Sequence, residues 1–167
     1  MGKSDINLSL KIGEGRTKRV MRTVLSKRNM ARYMKVLASD IRIRTRLGYN
    51  ALKSGGKRTK LKPLKPSTKK GREYLKRRGG LSGLTKPARS NLTRTEQMLN
   101  ALRGLGKGTG KGVVEVKASG RSDSKETNAA VAGYAEDHGR PFLNLTSKEV
   151  KELKQNIKKD IVKQFKK

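Results

Sequence analysis

Cysteine and tryptophan are absent from this chain of 167 residues, which has only one histidine, two phenylalanines and four tyrosines. Without cysteine there is no disulfide and no thiolate nucleophile or metal ligand. A zinc site needs several ligands, and His138 has neither a second histidine nor a cysteine to share a metal with. Tyr33, Tyr49, Tyr74, Tyr134, Phe142 and Phe165 lie too far apart in the chain to suggest a base-stacking platform. No apolar run approaches the roughly 18 residues of a membrane span, so no membrane is expected. The beginning of the chain also lacks the apolar segment of a secretory signal, which points to a soluble intracellular protein.

Acidic residues are scarce as well: 13 Asp and Glu face 43 Lys and Arg, a formal net charge of +30. The imbalance is uneven, with 27 basic and 4 acidic side chains in residues 1–90, against 16 and 9 in residues 91–167. Such self-repulsion is relieved by a polyanion or by acidic protein surfaces. Leu, Ile, Val and Phe make up about one-fifth of the chain, enough for a modest core in a single domain spanning 1–167.

The pattern of apolar residues assigns the elements. Ile6, Leu8, Leu10 and Ile12 alternate with polar residues, as in a half-buried strand. From Arg16 to Arg46 neither Gly nor Pro intervenes, and Val20, Val24, Met30, Met34, Leu37, Ala38 and Ile41 follow one helical stripe. One long helix, or two with a bend, is predicted, ending at Gly48. Its other faces carry Arg22, Lys27, Arg28, Arg32, Lys35, Arg42, Arg44 and Arg46.

Residues 48–91 are punctuated by Gly55, Gly56, Gly79, Gly80 and Gly83, and by Pro63, Pro66 and Pro87. They read as an extended basic arm or loop ordered on assembly, with a short basic helix over 67–78. Thr93 to Glu96 fits a capping box, opening a helix with Met98, Leu99 and Leu102 on its apolar face and Gly104 as its stop. Val113, Val114 and Val116 mark a strand beginning near Gly112, and the Ala-rich stretch 128–137 reads as helical. Thr146 and Glu149 form a second capping box. It starts a helix with Val150, Leu153, Ile157, Ile161 and Phe165 on one face.

Candidate chemistry is thin. The glycine-rich run 104–112 lacks the Ser or Thr of a phosphate loop after Gly110-Lys111 and follows a helix instead of a strand, so it reads as a flexible connector. His138 beside Gly139 suits a helix end, and Ser122, Asp123 and Ser124 suit a turn. No catalytic constellation and no cofactor site emerges, and the chain is not expected to be an enzyme. For contact with DNA or an acidic partner the candidates are Arg42, Arg44, Arg46, Lys57, Arg58, Lys60, Lys62, Lys69, Lys70 and Arg72. Contacts of this kind are to the nucleic-acid backbone and carry no sequence preference.

One segment has a different character. Arg140-Pro141-Phe142-Leu143, followed by Asn144-Leu145-Thr146 and an amphipathic helix, gathers a proline, an aromatic and two leucines beside a clean helix start. Arg140, Pro141, Phe142, Leu143 and Leu145 are the candidate packing and assembly residues. With two further blocks, Lys62-Pro63-Leu64-Lys65-Pro66-Ser67-Thr68 and Leu92-Thr93-Arg94-Thr95-Glu96-Gln97-Met98-Leu99, this segment resembles the virion-morphogenesis, or tail-completion, proteins of Mu-like and P2-like tailed phages. Glu96 and Asn144 stand where that family commonly has Gly. The resemblance implies an α+β fold with a long N-terminal helix, a small antiparallel central sheet and a C-terminal amphipathic helix. It further implies a structural subunit without enzymatic activity, set as a homo-oligomeric ring in the virion neck. Its neighbours there would be portal, adaptor and tail proteins. The competing reading of the charge is a non-viral nucleic-acid-binding protein of ribosomal or nucleoid type.

Overall fold

The computed structural model describes residues 3–7, 15–61, 70, 97–121 and 125–166. Their elements are β1 (Lys3–Asn7), α1 (Arg16–Val24), α2 (Lys27–Arg46), β2 (Tyr49–Ala51), β3 (Arg58–Lys60), α3 (Gln97–Asn100), β4 (Leu102–Gly108), β5 (Lys111–Val116), α4 (Asn128–Asp137) and α5 (Ser147–Phe165). The class is α+β, with a three-stranded antiparallel sheet in the order β1-β5-β4 and a separate hairpin of β2 and β3. Residues 1–2, 8–14, 62–69, 71–96, 122–124 and 167 lie outside the described residues. Leu8, Leu10 and Ile12 of the first strand pattern, the capping box at Thr93 and nearly all of the basic helix expected over 67–78 fall there.

The apolar stripe of 16–46 forms two helices. Ser26 breaks the run, its Oγ accepting the Asn29 N–H at the start of α2. The Asn29 carboxamide donates back to the Thr23 carbonyl, satisfying an acceptor at the end of α1. Val20, Val24, Met30, Met34, Leu37, Ala38 and Ile41 are all buried, so the stripe is the core face. After α2, Gly48 turns the chain with φ 81°, a left-handed value that suits glycine.

Two expectations are overturned around residues 97–112. Leu102 does not extend a helix toward Gly104, because α3 ends at Asn100 and Leu102 opens β4. Nor is 104–112 a flexible connector: β4 and β5 pair antiparallel across it, with Gly104 opposite Val114 and Gly106 opposite Gly112. The reason is the close approach of α2, which crosses this hairpin. A Cβ on Gly104 would stand 2.0 Å from the Met34 carbonyl carbon, and one on Gly106 would stand 2.0 Å from the Lys27 carbonyl oxygen. Glycine is the side chain that this helix–strand spacing accepts. Strand β1 completes the sheet against β5, pairing Lys3 with Glu115 and Asn7 with Lys111.

Residues 49–60, expected as the start of an extended arm, form the β2–β3 hairpin. Asn50 is buried, and its side-chain oxygen accepts from the Thr59 hydroxyl at 2.6 Å. The hairpin tip is stitched to the chain ahead of α5: Gly55 N–H donates to the Leu145 carbonyl and Ser147 N–H to the Gly56 carbonyl.

Candidate functional site

Residues 140–149 are where the separate parts of the chain converge. His138 is the C-cap of helix α4, and Gly139 follows with φ 68°. The Gly139 N–H donates to Glu136 O and the Arg140 N–H to Ala135 O, the paired bonds of a Schellman stop. His138 thus takes the helix-end position expected of it, its Nδ1 lying 2.9 Å from the Tyr134 carbonyl oxygen and its ring stacked on Tyr134.

The chain then turns inward. The Glu136 carboxylate accepts the backbone N–H groups of Phe142 and Leu143 at 3.0 and 3.2 Å, so neither donor enters the core unpaired. Phe142, Leu143 and Leu145 are buried in the main core. The Asn144 carboxamide donates to the carbonyls of Ala51 and Leu52, fastening the segment to the β2–β3 hairpin. At Thr146 the predicted capping box is present in both halves.

Arg44 closes the junction from the α2 side. Its guanidinium donates to Glu149 Oε2 and to the Phe142 carbonyl, each at 2.7 Å, and to the Asn144 carbonyl at 2.9 Å. Both side chains of the ion pair are almost fully buried. Burial pulls the Arg44 guanidinium below its usual range, and the Glu149 carboxylate opposes that shift. The same carboxylate oxygen accepts the Thr146 N–H. One acidic group therefore both caps α5 and neutralises the cation of α2.

Contrary to the expectation from its charge, Arg44 is no outward-facing cation for DNA or an acidic partner but an internal brace, buried out of reach of a phosphate or a partner. The sequence did hold a signal, since Leu37, Ile41 and Arg44 follow the spacing of one helical face. Arg42 is half-buried and holds the carbonyls of Leu99 and Leu102. Arg46 is exposed and donates to the Asn100 side chain. Lys57, Arg58, Lys60 and Lys70 are exposed, with the Arg58 guanidinium over the Tyr49 ring at 3.5 Å. Lys62, Lys69 and Arg72 lie outside the described residues. Arg22, Lys27, Arg28, Arg32 and Lys35 extend the exposed cationic surface along α1 and α2.

A second polar tie joins α2 to the far end of α5. Asp160 accepts from the Tyr33 hydroxyl and pairs with Arg32. Burial, and next the hydrogen bond to Asp160, push the Tyr33 phenol up to about 12. Among the described residues no group of three or more His, Cys, Asp or Glu is placed to hold a metal ion. No described helix is long and apolar enough to cross a membrane. No protein-family model matches the chain, and no curated protein or solved structure matches it either.

Proposed function

We propose that this chain is a structural subunit of a tailed-phage neck, a head–tail connector or tail-completion ring joining portal-side proteins to the tail. The observation that carries the reading is the Arg140–Thr146 block, the most specific of the three resembling segments. Its side chains and backbone tie α2, the β2–β3 hairpin, α4 and α5 into one junction. A subunit that transmits load between neighbours benefits from such a brace, and nothing in it offers chemistry to a small substrate. The exposed cations of α1, α2 and β3 suit a subunit that meets DNA backbone or acidic rims of adjoining proteins.

That cationic surface also favours a second reading, a non-viral protein of ribosomal or nucleoid type that binds nucleic-acid backbone. Light scattering on the purified protein, before and after nuclease treatment, separates the two. A defined oligomer that survives nuclease is the expected result for a neck subunit. A monomer that associates only with nucleic acid overturns the neck reading in favour of the second.

A further inference from the structure

Helix α2 carries seven Lys or Arg against the single Asp40. Arg28, Arg32, Lys35, Ser39, Arg42 and Arg46 are spaced alternately four and three positions apart, which sets them on one line along the helix. At about 100° per residue they lie within roughly 40° of that line. It runs opposite the buried face of Met30, Met34, Leu37 and Ile41. Arg42 is half-buried and the other five are exposed. The exposed Val36 and Ile43 sit on a neighbouring face beside Asp40 and Glu152, with Leu47 following in the turn, and none of them enters the stripe.

A solvated helix face ordinarily mixes charges of both signs, since like charges four positions apart repel. Along this stripe the repulsion is built in, between Arg28 and Arg32 and again between Arg42 and Arg46. Asp160 offsets one of the charges by pairing with Arg32. At the other end the guanidiniums are held in place by protein acceptors. Arg42 donates to the Leu99 and Leu102 carbonyls, and Arg46 to the Asn100 side chain. A guanidinium has five N–H donors, so Arg42 is ordered by these bonds and keeps donors to offer a phosphate.

The partner that fits is a row of phosphates. Arg28 to Arg46 spans roughly 27 Å at about 1.5 Å of rise per residue, and duplex DNA presents one negative charge per about 1.7 Å of its axis. An acidic protein fits less well. Protein interfaces are built around an apolar, often aromatic core, and the stripe holds neither an apolar nor an aromatic side chain. Single strands are held by stacking on aromatics, which the stripe lacks for the same reason. We infer that the α2 stripe is the surface on which this protein holds the backbone of duplex nucleic acid. The inference rests on the cationic-surface part of the reading above and not on ring assembly, so its test does not depend on oligomeric mass.

Two double variants test it, each removing two positive charges. One carries Arg28→Gln and Lys35→Gln in the stripe, the other Lys117→Gln and Lys154→Gln outside it, and all four side chains are exposed. Circular dichroism and thermal melting check that both remain folded. Affinity is measured against salt for a short DNA duplex, an RNA duplex of the same length and polyglutamate. Log affinity falls against log salt with a slope of about 0.9 per phosphate contact on DNA, so the stripe variant is expected to be shallower than wild type by about 1.8. The variant outside the stripe is expected to change by less than about 0.9. The stripe variant is expected to lose slope on the RNA duplex as well, because the contact is to phosphates; a change on one duplex alone overturns a contact carried by the backbone. Equal losses in the two variants overturn the stripe as the binding surface. A stripe variant that loses polyglutamate but keeps the wild-type slope on both duplexes overturns the partner in favour of an acidic protein. Wild-type protein that binds neither duplex overturns the inference, while the ring reading is still judged by oligomeric mass.

Discussion

Arg44 and Glu149 face each other inside the protein, both almost fully buried. Removing one partner of a buried pair leaves an unpaired charge, at about 3–5 kcal/mol. Arg44→Ala is therefore expected to lose that much stability in urea denaturation, whereas Arg22→Ala, at an exposed position, stays within about 0.5 kcal/mol. A loss below about 1 kcal/mol for Arg44→Ala would show that the junction is not held by this cation. Tyr33 makes a prediction of a different kind. The folded protein keeps its phenolic proton up to about 12, while an unfolded tyrosine releases it near 10. With the folded value raised, the stabilisation is complete below about pH 10 and is lost as pH rises toward 12. Wild-type stability should decline over that window by more than the Tyr33→Phe variant does, and one tyrosine should resist titration in the ultraviolet until about pH 12. Equal declines would mean that the Tyr33 phenol is neither buried nor held by Asp160 in solution. Spacing places Arg44 on the face of Leu37 and Ile41, but the partners of Arg44 and Tyr33 were not legible in the sequence, because each lies more than a hundred positions away along the chain.

At the scale of elements, the glycines of β4 make the sharpest test. Gly104→Ala would push a methyl group into the backbone of α2, and no rotamer change relieves a clash with main-chain atoms. A cost of at least about 3 kcal/mol, or failure to fold, is expected from overpacking at such a contact. Gly108→Ala in the same strand meets nothing within 4 Å and serves as the control. Equal melting temperatures for the two variants would remove the close-approach explanation. The helices were readable because their signals are local: the stripe along 16–46 and the capping box at Thr146 that starts α5. The β2–β3 hairpin and the glycine-rich strand were not. Glycine in a sequence marks a turn as readily as a tight approach, and only the helix lying across β4 distinguishes the two.

For the whole molecule, the cationic exterior sets how it meets a polyanion. Exposed cations along α1 and α2, with few aromatics, predict duplex DNA binding without sequence preference. With 6–10 phosphates engaged, affinity is expected to fall by about 10³–10⁵ between 50 and 200 mM salt. Titrations of unrelated duplexes at both salt concentrations check this, and binding indifferent to salt would assign the charge to acidic protein partners. The amino-acid sequence by itself determined the α+β class, the helical stripe of 16–46, the capped start of α5, the burial of Phe142 and Leu143 and the excess of positive charge. Each of these depends on residues close together in the chain or on composition alone. The tertiary structure decided which cation is internal, where the Glu149 carboxylate finds its second partner, and which aliphatic face of α2 is left in solvent beside Asp40 and Glu152. Those outcomes depend on which elements pack against one another, and a charge has a partner or lacks one only after residues about a hundred positions apart, such as Arg44 and Glu149, have come together.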